Sequence, residues 1–207
     1  DCFWVTDPGP GFAAAAELVT TLAHKATDRI RAPKYARGVP AQRTRGARPR
    51  SILFLCYGNI CRSAFAERYW NDKLRAFEPA LPLAHSAGFV KEPDRETPPA
   101  IARLVREAFD VDLGASRSRY VTEADVNSAD VIFVMDGDNY RALDRMFPYA
   151  VGKTFLLGGL DDPLRLTIAD PYDMVDPGDV RRVFDRIARA TRAYRASLDR
   201  DAVIGRS

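Results

Sequence analysis

The feature that most constrains this chain is a short apolar run that ends on a cysteine and passes through a tight loop into a helix. Ser51-Ile-Leu-Phe-Leu55 is apolar after its first residue, the pattern of a strand buried on both faces of a parallel sheet. It runs directly into Cys56-Tyr-Gly-Asn-Ile-Cys-Arg-Ser63. Beyond the loop, Phe65, Tyr69, Trp70, Leu74 and Phe77 share one helical face, so Tyr69 and Trp70 read as core. A strand that turns at once into a helix begins a crossover unit, and such units build parallel sheets.

The rest of the sequence repeats that alternation. Leu83-Ala-His-Ser-Ala87 reads as a second strand ending at Gly88, and Pro98-Pro99 open a helix carrying Ile101, Leu104, Val105, Ala108 and Phe109 at the 3.6 period. Thr122-Glu-Ala-Asp125 has the form of a helix start. Val131 to Met135 is a third strand, with Tyr140, Leu143 and Phe147 marking the helix after it. Thr154-Phe-Leu-Leu157 is a fourth, stopped by Gly158-Gly159. The last helix begins near Pro177-Gly-Asp179 and carries Val180, Val183, Phe184, Ile187, Tyr194 and Leu198. Four strands alternating with helices predict an α/β fold around a four-stranded parallel sheet, with ligands bound at the carboxyl ends of the strands. Residues 56–63 occupy that place.

The first fifty residues do not join this pattern. Phe12 to Ile30 can form a helix with Leu18, Val19, Leu22 and Ala26 on one face. Arg29 to Arg50 holds eight Lys/Arg, three Pro and two Gly with no apolar period, the composition of a self-repelling tether. The chain therefore divides into an extension over 1–49 (a helix over 12–30 and a basic linker over 29–50), a domain over 50–200 and a short tail over 201–207. The net charge of +3 comes from residues 1–50, where nine Lys/Arg face four Asp/Glu. The remainder holds 22 against 24, so the basicity says nothing about the domain's own partner. The basic stretch reads first as solvated linker, and any binding role would be toward an acidic partner: nucleic acid, membrane surface or acidic protein. A 46% apolar content over 207 residues excludes wholesale disorder. No apolar run approaches the ~18 residues of a membrane span, and Asp1-Cys2-Phe3-Trp4 has no signal-peptide pattern. Cys2, Cys56 and Cys61 are too few for a disulfide framework, and His24 and His85 belong to no His/Cys cluster. A cytoplasmic protein with no metal or other cofactor is expected, with both histidines structural or exposed.

The chemistry concentrates in Cys56 to Ser63. A loop between a strand end and a helix start points several N–H groups at one spot, and that nest holds a phosphate or another oxyanion. Gly58 and Asn59 are the residue types that most readily take left-handed backbone conformations, which such a loop requires. Arg62 brings a planar fork able to hold two phosphate oxygens. Amide dipoles and Arg62 would stabilise a thiolate on Cys56, a nucleophile for phosphorus.

Leu55-Cys-Tyr-Gly-Asn-Ile-Cys-Arg-Ser-Ala-Phe-Ala-Glu67 resembles the phosphate-binding loop of the low-molecular-weight protein tyrosine phosphatases, whose pattern is Cys-x-Gly-Asn-x-Cys-Arg-Ser-Pro-x-Ala-Glu. Ser86-Ala-Gly88, Val134-Met-Asp136 and Asp170-Pro-Tyr172 follow in the family's order, so the resemblance runs from Ser51 to Leu198. It implies a three-layer sandwich of the flavodoxin-like, phosphotyrosine phosphatase I-like type. It further implies hydrolysis of tyrosine-phosphorylated protein through a phosphocysteine, without a metal. In that scheme Cys56 attacks phosphorus, Arg62 and the 56–63 loop hold its oxygens, and Asp170 protonates the leaving phenolate before activating water. Tyr57, Gly58, Asn59, Ile60, Cys61 and Ser63 would line the substrate. Ser63 would also bond the Cys56 sulfur, Asn59 would lock the loop through Ser63 and Ser86, and Tyr172 would wall the pocket.

Some positions depart from the family pattern. Ala64 replaces a Pro, Ser116 stands where many members carry a His that supports the loop Asn, and Asp173 replaces a second Tyr of vertebrate members. The stretch after Gly88 has no Trp. Arsenate reduction on the same fold needs relay cysteines, and none follows Cys61. Phosphoarginine phosphatases carry Thr at the place of Ile60, and a non-catalytic phosphate-binding module has no use for a thiolate and an acid. Cys61 reads equally as a small apolar filler or as a redox partner of Cys56. Asp136 reads as a structural acid or cap near the site.

Overall fold

A computed structural model describes residues 49–162 and 165–204. The 12–30 helix and most of the basic linker lie outside the described residues. Four parallel strands, β1 (Ser51–Cys56), β2 (Leu83–Gly88), β3 (Val131–Val134) and β4 (Thr154–Leu156), form one sheet in the order β2-β1-β3-β4. Apolar strands alternate with helices as the sequence required, and β1 lies centrally, in register with β2 from Ser51↔Leu83 to Cys56↔Gly88.

The helices divide between two faces. Ile52, Phe54, Phe133 and Phe155 point into one core with α1 (Arg62–Arg68), α2 (Pro99–Phe109) and α5 (Pro177–Ile204). Leu53, Leu55, Ile132 and Val134 point into the other, against α3 (Glu123–Ser128) and α4 (Gly137–Met146). The result is the expected three-layer sandwich, because every second side chain of each strand faces the same layer. Thr122 and Asp125 close a capping box at the start of α3. The apolar residues read for the last helix, from Val180 to Leu198, are all buried, and α5 runs past residue 200 to Ile204.

One apolar residue lands outside the core. The helix begun by α1 widens into a π-helical segment over Tyr69–Arg75, and Phe77 lies beyond its end, 86% exposed. The wider turns rotate later side chains off the 3.6 period that linked Phe77 to Phe65. Tyr69 and Trp70 stay buried, with Trp70 Nε1 donating to Pro82 O at 2.8 Å and its ring against Tyr194. His85 is exposed. Among the described residues no helix is long and apolar enough to cross a membrane.

Candidate active site

β1 delivers Cys56 to the carboxyl edge of the sheet, where the chain leaves the strand and loops into α1. The Cys56 side chain is almost wholly buried. Its Sγ accepts the Asn59 N–H at 3.3 Å and lies 3.0 Å from Ser63 Oγ. The loop's left-handed residue is Asn59, with φ 56°. Gly58, expected to share that conformation, does not adopt it, and a Cβ there would meet only ordinary contacts with Ile60 and Arg95. Asn59 is suited to the position because its short polar side chain bonds locally.

Those bonds form a directed chain. Asn59 Nδ2 donates to Ser63 Oγ at 2.9 Å and to Ser86 Oγ at 2.8 Å, while Ser86 Oγ donates to Glu67 Oε2 at 2.5 Å. Asn59 Oδ1 accepts the Arg119 backbone N–H at 3.0 Å, which fixes the orientation of the amide. Ser63 Oγ then receives a hydrogen from Asn59 and has its own to give. The Cys56 sulfur at 3.0 Å is a nearer acceptor than Ala87 O at 3.4 Å. A hydroxyl and a backbone amide are thus both aimed at the sulfur. Ser116, at the place of the family's loop-supporting His, makes no bond to Asn59; the main chain of Arg119 does that work. The Arg119 side chain is in turn clamped by both oxygens of Asp125 at 2.8 Å.

Gly88 closes the back of the loop. A Cβ there would lie 2.8 Å from Tyr57 O and 2.9 Å from both Asn59 N and Gly58 C, all backbone atoms that cannot swing away. Gly88→Ala is therefore expected to displace the loop, lowering stability by about 1–3 kcal/mol and weakening phosphate inhibition. Thermal melting and phosphate Ki check this, and parent values for both would show that the loop yields freely.

Arg62 lies on the floor, 2% exposed. Nη1 donates to Asp136 Oδ2 at 2.7 Å and to Ile168 O at 3.1 Å, and Nη2 donates to Asp170 Oδ2. Nε is buried with no partner among the described residues. Burial opposes the guanidinium charge, but Cys56, Asp170 and Asp136 outweigh it and hold Arg62 above its ordinary range. Asp136 has a double part: its other oxygen caps α4 by accepting the Asn139 N–H at 2.7 Å. Asp170 arrives on the segment after β4, where Ile168 N–H donates to Met135 O at 2.8 Å and ties that segment to the end of β3. Asp170 Oδ1 also accepts the Tyr172 N–H at 3.3 Å. Its carboxylate is 46% exposed, so one acid faces the mouth while Asp136 stays inside.

Tyr57 and Tyr172 stand at the mouth, both more than half exposed. Cys61 sits in the apolar core beside Phe65 and Ala64. Burial pushes its thiol well above the ordinary range, with Cys56 and Asp170 adding to the effect and Arg62 opposing it. Cys56 and Cys61 are free thiols. The site thus gathers Cys56, Asn59, Arg62, Ser63, Ser86 and Asp170. Arg95 and Thr97 contact the loop but carried no sequence signal as site residues, whereas Glu67, which bonds Ser86, is the last residue of the loop motif.

Comparison with known proteins gives the same picture. The family described as Low molecular weight phosphotyrosine protein phosphatase matches residues 51–203. The low molecular weight phosphotyrosine protein phosphatase of Sus scrofa is 30% identical over 154 residues, covering 70% of this chain and 93% of that protein. The crystal structure of the tyrosine phosphatase Wzb from Escherichia coli K30, solved with sulphate, superposes with a TM-score of 0.63 at 29% identity, covering 72% of this chain and 99% of its own. An arginine phosphatase, YwlE from Geobacillus stearothermophilus, superposes at 0.65 and 23% identity over 75% of this chain and 96% of that one, a likeness of fold alone.

Proposed function

Because the chain belongs to the low molecular weight phosphotyrosine protein phosphatase family, we propose that Cys56, Arg62 and Asp170 hydrolyse phosphotyrosine in proteins through a phosphocysteine. The observation that carries this reading is a buried sulfur with two donors aimed at it, beside a buried guanidinium whose Nε–H has no partner among the described residues. In the first step the Cys56 thiolate forms a P–S bond as the P–O bond to the phenol breaks. Asp170 gives its proton to the departing oxygen. In the second, water attacks phosphorus, the P–S bond breaks and Asp170 takes the water's proton. Arg62 and the loop amides hold the equatorial oxygens throughout, so developing negative charge meets donors already in place.

Ile60 supports phosphotyrosine over phosphoarginine, because phosphoarginine phosphatases carry Thr at its place in the loop and an aliphatic residue suits an aromatic substrate better. Tyr57 and Tyr172 would flank that ring. The two free thiols support a reducing, cytoplasmic setting. An acidic partner for the basic 29–50 segment rests on its charge alone.

Release of phosphate from phosphotyrosine, phosphoserine and phosphoarginine peptides tests the assignment. Turnover confined to phosphotyrosine is the expected result. Turnover of phosphoarginine alone, or of none of the three, would overturn it.

A further inference from the structure

The outer side of the phosphate-binding loop is gripped by a single stretch of chain. Phe89 N–H donates to Tyr57 O at 2.8 Å, Arg95 Nη2 donates to Gly58 O at 2.7 Å, and Thr97 Oγ1 donates to Ile60 O. Each carbonyl belongs to a planar trans peptide whose N–H, on the next residue, points the opposite way. Holding the three carbonyls outward therefore turns the amides of Gly58, Asn59 and Cys61 inward. The middle one is seen to arrive, since the Asn59 N–H reaches the Cys56 sulfur. The amides of Gly58 and Cys61 donate to no other group among the described residues, as a nest awaiting an oxyanion requires.

The stretch is itself anchored from behind. Asp94 N–H donates to Ser118 O at 2.9 Å, Ser118 N–H to Arg95 O at 3.0 Å, and Arg95 N–H to Ser118 Oγ at 3.0 Å. Arg95 Nε is held by Glu92 O at 3.0 Å, and no carboxylate pairs with the guanidinium among the described residues. Two of its donors, on Nε and Nη2, are thus committed to carbonyls. Thr97 is 5% exposed, so its hydroxyl needs a protein partner, and Ile60 O is that partner.

We propose that residues 89–97 form a clasp that sets the loop in its oxyanion-binding conformation, with Arg95 and Thr97 as its positioning residues. The inference rests on the reading that the loop binds phosphate. The two side chains hold different peptides. Arg95 fixes the one whose N–H faces the sulfur, and Thr97 fixes one whose N–H faces only the oxyanion.

Their variants should separate accordingly. Arg95→Ala is expected to raise the phosphate Ki and also to lower kcat, because the loosened amide faces the nucleophilic sulfur as well as the oxyanion. Thr97→Val is expected to raise the Ki and to leave kcat closer to that of the parent. Increases of about three- to tenfold are expected, below the ~10²–10³ of losing a transition-state donor outright, since the amide is loosened and not removed. Arg95→Lys and Thr97→Ser keep a donor for the same carbonyls and should recover most of the loss. They carry the comparison if the larger changes prevent folding.

The full chain serves for all assays, with aryl phosphate turnover, calorimetry with inorganic phosphate and thermal melting read side by side. Arg189→Ala, which removes a remote ion pair to Asp161, is the control for general destabilisation. Parent values of Ki in the folded Arg95 and Thr97 variants overturn the clasp, as does an equal loss in Arg189→Ala. A chain that binds phosphate through the clasp but hydrolyses no phosphotyrosine refutes the hydrolase reading alone. A parent that turns over normally, with variants that do not move, refutes the clasp alone.

Discussion

Cys56→Ser is expected to abolish hydrolysis of aryl phosphates, by about four orders of magnitude or more, while leaving phosphate affinity nearly unchanged. The split follows from the division of labour in the site. In the proposed mechanism bond making to phosphorus falls to the sulfur alone, and a serine hydroxyl in its place would have no adjacent base to take its proton. Phosphate affinity belongs to the inward-facing amides and to Arg62, whose bonds to Asp136 and Ile168 do not involve Cys56. Arg62→Lys should behave differently and lose both properties. A point charge cannot bond Asp136, Ile168 O and a phosphate with the geometry of a planar fork, and it leaves the inner carboxylates imperfectly matched. Turnover with phosphotyrosine peptides and calorimetric titration with inorganic phosphate distinguish the cases. Turnover in Cys56→Ser close to that of the parent would remove the phosphocysteine from the mechanism.

How far the sequence foretold this site depends on how each interaction is encoded. The sheet was legible because β1 and β3 are continuous apolar runs and the helices after β2 and β3 carry apolar residues at a regular period. Phe77 was misplaced because a change to π-helical turns leaves no mark in the pattern of apolar residues. The roles of Asn59, Ser63 and Ser86 came through the family resemblance, and the structure shows the bonds expected of them. The support of Asn59 did not come through in that way. A side chain was sought at Ser116, whereas the donor is the backbone N–H of Arg119, which any residue except proline would supply. Arg95 and Thr97 were invisible for a related reason. They reach carbonyl oxygens 37 residues away, and carbonyls carry no residue identity. Asp136 was read as an acid or cap near the site, and it is both the cap of α4 and the inner partner of Arg62.

The outer partner of Arg62 carries the second large effect. Asp170 is paired with Arg62 Nη2, a contact that a bound phosphate dianion must share or replace. The pairing sets the carboxyl beside the oxyanion, where it can donate to a leaving phenolate. Asp170→Asn keeps the shape and removes the proton. It should therefore slow substrates with poor leaving groups by ~10²–10⁴-fold and activated aryl phosphates far less, since a stable phenolate departs without help. The measurement is kcat/KM for a series of aryl phosphates of graded leaving-group basicity, in parent and variant. A loss of equal size for every leaving group would mean that Asp170 serves only to hold Arg62 in place, and the general acid would have to be sought elsewhere at the mouth.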